Sequence, residues 1–208
     1  MIYFSVDYLV QDSDEWRQWR RRVIGASDAP IIMGENRWKG RENLIDEKLG
    51  NKEGFKGNSI TREGKELEEP ARNELNKLLS ANLQPKVIQS TWSPYYAASL
   101  DGVDEKKGLI VEIKCGKKTY DHVRDHRTVP GHYTAQLQHV LMVARCSRLI
   151  FAVYRPGREL LTIRVDYSKS YIDAMYAREE AFAKTLIQRG HKLQGSFVGR
   201  SFDITKCR

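Results

Sequence analysis

Two acidic residues and a lysine in the middle of the chain have the spacing needed to bind a metal ion and hydrolyse a phosphodiester. Asp101 is followed by Glu112, Ile113 and Lys114, which gives the pattern D-x10-E-x-K. Apolar runs before Asp101 and around Glu112 predict two strands, so Glu112 and Lys114 share a face while Ile113 points to the core. Asp101, at the end of the neighbouring strand, can then converge with Glu112 on one hard cation.

The residue types suit magnesium. This ion prefers oxygen ligands and takes only one or two protein carboxylates, together with waters and phosphate oxygens. Asp101 and Glu112 are the candidate carboxylates, and the carbonyl of Ile113 is a candidate third ligand. Lys114 can orient or deprotonate the attacking water, with a pKa lowered by desolvation and by the ion, and offset the negative charge that develops. The tripeptide E-x-K alone is more often a solvated face of an amphipathic strand.

Composition is that of a soluble globular protein. The 208 residues suit one domain, 40% are apolar and 30% are charged. No apolar run approaches the roughly 18 residues that cross a bilayer, and the acidic N-terminus is unlike a signal peptide. Three cysteines (Cys115, Cys146 and Cys207) without a C-x-x-C pair argue against a disulfide framework or a zinc site, and suit a reducing cytoplasm.

The chain carries a net charge of +8, with a sequence pI near 9.4. Such an excess favours a polyanionic partner, although composition alone fits an ordinary basic protein equally well. Arginines cluster early in the chain beside two tryptophans, and glutamates cluster in the next third. These residues are Arg17, Arg20, Arg21 and Arg22 beside Trp16 and Trp19, and then Glu63, Glu66, Glu68 and Glu69. A metal-dependent nuclease needs both positive groups for phosphates and a negative pocket for the ion.

Hydrophobic periodicity predicts a mixed α/β domain that occupies residues 1–208. Helices are expected at residues 15–24, 42–49, 61–80, 132–145 and 168–188, with a short helical turn at 29–33 and a loop or short helix within 115–130. Strands are expected at residues 1–10, 86–89, 95–100, 109–114, 148–154 and 159–165, and the last two form a hairpin. Pro70 should kink its helix or begin a new register. The tail from residue 190 should be basic and irregular.

Glu68 and Gln136 are two further candidates for the same pocket. Glu68 lies one helical turn after Gly64, which leaves room for an ion or a phosphate beside it. Gln136, like Gln138, lies on the helix before the hairpin, where an amide can bind the catalytic water or the ligand carboxylates. A solvated acidic helix face and a surface glutamine are the commoner explanations when either segment is considered alone.

Ser27 and Arg20 are candidates for an anion site. Ser27 lies at a predicted helix N-terminus, where a hydroxyl and exposed backbone N–H groups can bind a phosphate. Arg20 can add a bidentate contact. An ordinary capping serine and a solvated arginine are equally compatible with this pattern. The histidines, which include His122, His126, His132 and His139, lack zinc-site spacing and are expected at the surface or facing DNA.

Several ordered motifs occur together along the chain. They are Arg20, Gly25-Ala26-Ser27-Asp28, Gly64-Lys65-x-Leu67-Glu68-x-Pro70-Ala71-Arg72, Ser99-x-Asp101-Gly102, Glu112-Ile113-Lys114-Cys115 and Tyr133-x-x-Gln136-Leu137-Gln138. In this order they resemble the phage lambda exonuclease family, also called YqaJ-type viral recombinase nucleases, within the PD-(D/E)xK superfamily. The resemblance covers roughly residues 16–187.

The resemblance implies a restriction-endonuclease-like α/β core with a central mixed twisted sheet flanked by helices. It also implies a 5′-to-3′ exonuclease that degrades double-stranded DNA from its ends to mononucleotides and leaves a 3′ single-stranded overhang. Magnesium is the implied cofactor, with manganese expected to substitute. Family members form a ring-shaped homotrimer around DNA and work beside a single-strand annealing protein in phage recombination. The expected location is the cytoplasm of a bacterial host.

Carried over by position, Glu68, Asp101 and Glu112 resemble the metal carboxylates, with the carbonyl of Ile113 alongside. Lys114 resembles the catalytic lysine and Gln136 the residue that supports its site. Arg20 and Ser27 resemble the pair that holds the downstream 5′-phosphate. Thr61 stands where an apolar strand-separating residue is expected, so that role stays unassigned between Ile60 and other loop residues.

Two alternatives remain open. An endonuclease of the same superfamily, of restriction or junction-resolving type, would carry the same motif. A DNA-binding or annealing module without catalysis is disfavoured, because carboxylates such as Asp101 and Glu112 would repel phosphates without serving any purpose in such a protein.

Overall fold

The computed structural model describes residues 1–54 and 57–193, apart from the side chain of Ile60. The predicted basic tail beyond residue 193, with Cys207, and the Ile60 side chain therefore lie outside the described residues. Among the described residues, none of the helices combines the length and apolar character that a membrane span requires.

Helices and strands alternate along the chain much as the periodicity predicts. The helices are α1 Asp14–Arg21, α2 Ala29–Ile32, α3 Arg41–Leu49, α4 Ser59–Glu66, α5 Glu68–Leu79, α6 Lys117–His126, α7 Thr134–Ala144 and α8 Lys169–Gln188. The strands are β1 Phe4–Ser5, β2 Ile24–Gly25, β3 Gln84–Gln89, β4 Tyr96–Asp104, β5 Leu109–Lys114, β6 Arg148–Val153 and β7 Leu161–Asp166. A 3₁₀ turn, Gly131–Tyr133, leads into α7.

Within the described residues the strands form one mixed sheet in the order β1-β3-β4-β5-β6-β7, with β2 paired to β4 beside this path. The β4–β5 and β6–β7 pairs are antiparallel, whereas β5 and β6 run parallel because α6 and α7 connect them. The predicted central sheet flanked by helices, and the hairpin of the last two strands, are confirmed.

Strand β5 has a buried environment on both faces. Val111 and Ile113 pack with Ala71 and Leu75 of α5 on one face. Ile110, one residue out of phase, belongs to the large cluster on the other face, which contains the apolar residues of α7. Successive strand residues point to opposite faces, so Glu112 lies on the α7 face, between the sheet and that helix. This placement determines which helix can reach the candidate carboxylate.

Two predicted elements at the N-terminus are wrong in length. The predicted helix 15–24 ends at Arg21, and Ile24–Gly25 instead form β2, in which the Ile24 N–H donates to Tyr95 O at 2.6 Å. A β-branched residue followed by glycine favours this exit from the helix, and pairing with β4 stabilises it. The strand predicted at residues 1–10 is shorter in the structure, where only β1, Phe4–Ser5, is formed.

The long helix predicted at residues 61–80 is two helices. The break falls at Leu67, and Pro70 takes the third position of α5. There its missing N–H removes no hydrogen bond, because the first N–H groups of a helix have no partner within it. Its ring would clash with the carbonyl of Glu66 in a continuous helix. The expectation that Pro70 kinks the helix or begins a new register is therefore confirmed, with the break at Leu67.

Candidate active site

Strands β4 and β5 separate at the point where the candidate carboxylates lie. Their pairing runs from Asp104 opposite Leu109 to Gly102 opposite Val111. One residue further along β4, Asp101 Oδ2 accepts a hydrogen bond from the Ile113 N–H at 2.8 Å. The side chain of Asp101 thus takes the place of a backbone acceptor and is fixed against β5.

Asp101 lies inside β4, which corrects its predicted place at a strand end. The strand continues through Asp104 because β3 pairs with it on the other side. The glycine after Asp101 is required by packing: a Cβ at Gly102 would lie 2.7 Å from Cγ2 of Val111. The Asp-Gly pair therefore places a carboxylate next to the closest approach of the two strands.

Glu112 is the centre of a compact polar group. Its Oε1 atom accepts from Lys114 Nζ at 2.6 Å and from Gln136 Nε2 at 2.6 Å. Glu112 is only 3% exposed, whereas 24% of the Lys114 side chain remains accessible. The Lys114 ammonium also lies 5.3 Å from the ring centroid of Tyr133. The structure thus brings together Asp101, Glu112, Lys114 and Gln136.

Glu68 approaches the same group from α5. It is the first residue of that helix, and Gly64 lies on α4, so the two do not share one helix face as predicted. A Cβ on Gly64 would meet no atom within 4 Å, so the space beside it is open. Burial and then the negative charge of Glu112 raise the pKa of Glu68, against the positive charge of Lys114. Glu68 therefore lies within electrostatic range of the central pair.

The charges at this site are unbalanced. Burial, followed by repulsion from Glu112 and Glu68, raises the pKa of Asp101 well above its ordinary value. Burial alone would lower the pKa of Lys114, but attraction to Glu112 and Asp101 outweighs it and raises that pKa. The direction is opposite to the lowering predicted for Lys114 near a metal ion. Three carboxylates surround the Lys114 ammonium, and Arg72 and Lys65 also act on Glu68. The repulsion between the carboxylates would be relieved by an additional cation.

The donor set fits a hard divalent cation. Asp101 and Glu112 supply the one or two carboxylates that magnesium takes from a protein. Among residues 1–54 and 57–193, however, no three His, Cys, Asp or Glu side chains are grouped as a ready-made metal cage. The hydrogen bonds to Glu112 and Asp101 described above use carboxylate oxygens that a cation would otherwise engage. Ile113 lies opposite Ala152 of β6, with its side chain buried toward α5.

Two arginines support the backbone of the site, and the sequence reasoning assigned neither of them a role. Arg72 of α5 donates to Asp101 O at 2.7 Å. Arg155 donates to Cys115 O at 3.1 Å and to Glu63 Oε1 at 2.7 Å. The spacing of Glu68 and Arg72, one helical turn apart, was the available signal for the first. No local pattern marks the second, because it comes from the β6–β7 connection.

Arg20 and Ser27 are brought together in the structure: the Arg20 guanidinium donates to Ser27 Oγ and lies 4.6 Å from the Trp16 ring centroid. The N-cap of α2 is Asp28, so the alternative interpretation of Ser27 as an ordinary capping serine is wrong. Helix α2 spans only Ala29–Ile32, and a helix this short presents little dipole to an anion. An anion site here would depend on the arginine and the hydroxyl.

Two residues of α7 are buried away from the roles considered for them: Gln138 beside Gln136, and His139 at the surface or facing DNA. Gln138 donates to Asp166 O at 2.9 Å and accepts from the Ser168 N–H at 2.9 Å, so it fastens α7 to the end of β7. His139 is fully buried between Glu179 Oε1, at 2.8 Å, and Ala97 O, at 3.0 Å. Burial would lower its pKa, but Glu179 raises it. The predicted DNA-facing position of His139 is therefore wrong.

The comparisons with known proteins identify the family. The model of the YqaJ-like viral recombinase domain matches residues 15–147, a range that contains Glu68, Asp101, Glu112, Lys114 and Gln136. The chain belongs to this family. A curated relative, the uncharacterized protein YqaJ of Bacillus subtilis (strain 168), is 26% identical over 196 residues. That match covers 91% of this chain but only 61% of the relative, so the chain spans less than two thirds of its length.

Solved structures show the same fold. An alkaline exonuclease from Laribacter hongkongensis, LHK-Exo, superposes with a TM-score of 0.74 at 20% identity, over 85% of this chain and 94% of that one. Its complex with dAMP gives a TM-score of 0.73 at 21% identity with the same coverage. A phage related exonuclease from Haemophilus somnus 129PT gives a TM-score of 0.58 at 15% identity, over 80% of this chain and 94% of that one.

Proposed function

We propose that this YqaJ-family protein is a metal-dependent nuclease that hydrolyses the phosphodiester bonds of DNA. The observation that carries the proposal is the convergence of Asp101, Glu112 and Lys114 where β4 and β5 separate, with Lys114 Nζ 2.6 Å from Glu112 Oε1. A group of buried carboxylates with one ammonium is unfavourable in itself and becomes favourable when a cation and a phosphate arrive. The net charge of +8 favours the polyanionic substrate.

Asp101, Glu112 and the carbonyl of Ile113 would hold the cation, with Glu68 as an additional carboxylate. When bound, Mg²⁺, or Mn²⁺ in its place, would polarise the scissile phosphate and favour ionisation of a nearby water. The arrangement of the chain supports this set, because Asp101 is fixed by the Ile113 N–H and Glu112 by Gln136. Such hydrogen bonds orient ligand carboxylates before the cation arrives.

In this proposal Lys114 holds its proton before the substrate binds, because the neighbouring carboxylates raise its pKa. Its first role is therefore to donate hydrogen bonds to the attacking water or to a phosphate oxygen, and to offset negative charge in the transition state. Gln136 donates to the same Glu112 oxygen and keeps this carboxylate in place when Lys114 turns toward the substrate.

We further propose that the enzyme is a 5′-to-3′ exonuclease that releases mononucleotides from double-stranded ends and leaves a 3′ overhang. The contact between Arg20 and Ser27 supports a pocket for the 5′-phosphate of the shortened strand. The fold shared with the alkaline exonuclease from Laribacter hongkongensis supports the same class of reaction.

The family description, which names viral recombinases, supports a proposal for the biological setting. We propose a role in phage-type recombination, beside a single-strand annealing protein and in the cytoplasm of the bacterial host. A homotrimeric ring around the DNA is part of the same proposal. The mass of the protein in solution tests the ring, and a monomer at micromolar concentration would contradict it.

Linear duplex DNA labelled at either the 5′ or the 3′ end provides the decisive experiment, with Mg²⁺ present. The 5′ label should appear first as a mononucleotide, and closed circular duplex should stay intact. The Lys114→Ala protein, purified in parallel, controls for contaminating nucleases. Nicking of the circle would instead support an endonuclease, and earlier release of the 3′ label would reverse the proposed polarity.

A further inference from the structure

Trp38 is by far the most exposed tryptophan of the chain. Its relative exposure is 78%, whereas Trp16 and Trp19 are buried at 6% and 8%, and Trp92 is partly buried. A single exposed apolar side chain is common and needs no functional explanation by itself. Trp38 differs from an ordinary exposed residue in its position, because the aromatic rings next to it extend to the candidate active site.

A series of ring contacts connects Trp38 with Lys114. The Trp38 and His132 rings meet edge to face, with centroids 5.9 Å apart. The His132 ring lies 4.1 Å from that of Tyr133, and the Lys114 ammonium lies 5.3 Å from the Tyr133 centroid. An aromatic surface therefore extends from the candidate catalytic ammonium to an indole that is open to solvent.

The backbone that carries the indole is held by a hydrogen-bonded turn. Asn36 Oδ1 accepts from the backbone N–H groups of Trp38 and Lys39, both at 2.9 Å. The start of the same loop is tied to α8, because Arg178 donates to Met33 O at 2.8 Å. A rigid aromatic side chain loses little conformational entropy when a ligand packs against it.

The charges around this corner suit a phosphate backbone. Burial lowers the pKa of His132, and the positive or basic groups Arg37, His122 and Lys114 lower it further. The groups that act on His132 are therefore basic, and they favour the uncharged form of its ring. An uncharged imidazole stacks on bases as an aromatic surface, while the surrounding cations attract the adjoining phosphates.

We propose that Trp38 and His132 form a base-binding corner, in which one unpaired nucleobase of the DNA stacks on the indole beside the catalytic groups. This inference rests on the proposed nuclease function and assigns a substrate contact within it. Stacking between bases and aromatic side chains tolerates any sequence, because every base has a π face. The corner would thus hold a nucleotide separated from its complement without selecting which base it is.

Binding of a short duplex with a single-stranded end tests the corner, measured in Ca²⁺ by tryptophan fluorescence and, for affinity, by the fluorescence anisotropy of labelled DNA. Bound DNA should quench the wild-type emission, and Trp38→Ala should remove most of the quenching and weaken binding about 10-fold. Trp38→Phe should keep most of the affinity. Tyr8→Ala is the matched control, since Tyr8 is a similarly exposed aromatic residue, at 73%, on the N-terminal segment. It should behave as the wild type.

Duplexes with one abasic site at successive positions identify stacking. At one position the wild type should lose its advantage over Trp38→Ala, because no base remains there to stack. If Trp38→Ala binds and digests intact and abasic DNA as the wild type does, Trp38 does not stack on a base and the proposal is wrong. In that event wild-type digestion of DNA would still support the nuclease. Failure of wild-type digestion on every DNA would overturn the proposed function itself.

Discussion

Lys48 and Lys114 each form an ion pair with a buried carboxylate, and the surroundings of the two pairs differ. Lys48 Nζ lies 2.5 Å from Asp28 Oδ2, and the two side chains are 5% and 6% exposed. Lys114 Nζ lies 2.6 Å from Glu112 Oε1, with exposures of 24% and 4%. Burial lowers the pKa of Lys48, more than Asp28 raises it, whereas the pKa of Lys114 is raised in spite of burial.

The difference lies in what else surrounds each pair. Lys48 also donates to the carbonyls of Arg20, at 2.8 Å, and Val23, at 2.7 Å, and Asp28 accepts from the Gly25 N–H. That pair is balanced in charge and its hydrogen bonds hold one stretch of backbone. Lys114 instead faces several carboxylates. The two ion pairs therefore differ in their surroundings: the Lys48 pair links stretches of backbone, and the Lys114 pair lies among further carboxylates, where we propose that a cation binds.

Substitution of Lys114 should have the largest effect on function. Lys114→Ala removes the ammonium that offsets charge in the transition state, and should lower turnover by about 10²–10⁴-fold. DNA binding in Ca²⁺ should change little, because the proposed cation supplies positive charge beside Glu112 when the ammonium is gone. Single-turnover cleavage and a binding titration measure the two properties. Turnover close to wild type would show that Lys114 is a structural partner like Lys48.

Lys48→Met should instead reduce stability. It leaves the Asp28 carboxylate and two carbonyls buried without their donor, and breaking such a buried pair costs roughly 3–5 kcal/mol. Chemical denaturation of the wild type and the variant measures the loss. The double variant Lys48→Met with Asp28→Asn should recover part of it, since the charge is gone and Gly25 keeps an acceptor. A loss below about 1 kcal/mol for Lys48→Met would contradict the structural role.

The contrast also shows what sequence reasoning can reach. Glu112 and Lys114 could be placed together because strand residues alternate between faces, so residues two positions apart lie on the same face of the sheet. Lys48 lies in a helix where its spacing predicts nothing special, and its partners come from the chain 20 to 28 residues earlier. Contacts that depend on how separate elements pack, rather than on local periodicity, were out of reach.

The same limit explains the errors at α7 and β4. A partly apolar stripe predicted one buried face for α7, but packing between the sheet and α8 buries nearly the whole helix, including His139 and Gln138. The strand around Asp101 was predicted too short, because polar residues look like a strand end when the neighbouring strand is unknown. The order of the motifs was sufficient for the family and for the convergence of the central residues, but not for these details.

Removal of one carboxylate tests the charge imbalance. A raised folded-state pKa for Asp101 means that its contribution to stability is present below its unfolded value, near pH 3.9, and is lost as the pH rises through the folded value. Asp101→Asn should therefore be more stable than the wild type at neutral pH in a chelator, and keeps an acceptor for the Ile113 N–H. Thermal unfolding across pH, without divalent ions, measures this.

Addition of Mg²⁺ should reverse that order. A cation at 100 times its Kd stabilises the wild type by about 2.7 kcal/mol, and Asp101→Asn should gain much less. Glu180→Gln serves as a control, because Glu180 accepts a hydrogen bond from the Tyr96 hydroxyl at 2.7 Å and has no proposed part in cation binding. Equal stabilisation of Asp101→Asn and wild type by Mg²⁺ would remove Asp101 from the metal site.

Substitution of Arg20 tests whether the Lys48 ion pair contributes to function indirectly, through the arginine whose carbonyl Lys48 binds. Arg20→Ala should slow digestion of 5′-phosphorylated ends about 10-fold, as expected for one charge-assisted hydrogen bond, and leave 5′-hydroxyl ends almost unchanged. Initial rates on matched duplexes measure the ratio, with Arg17→Ala as the exposed arginine control. Equal loss on both ends would rule out the phosphate pocket.

Because Lys48 holds the Arg20 carbonyl, Lys48→Met should lose the same preference for phosphorylated ends in the fraction that remains folded. Lys114→Ala should instead lose activity on both kinds of end in equal proportion. If Lys48→Met keeps the full preference for 5′-phosphorylated ends, Lys48 contributes to stability but not to the recognition of DNA ends. The balanced pair would then stabilise the fold without positioning the arginine that it adjoins.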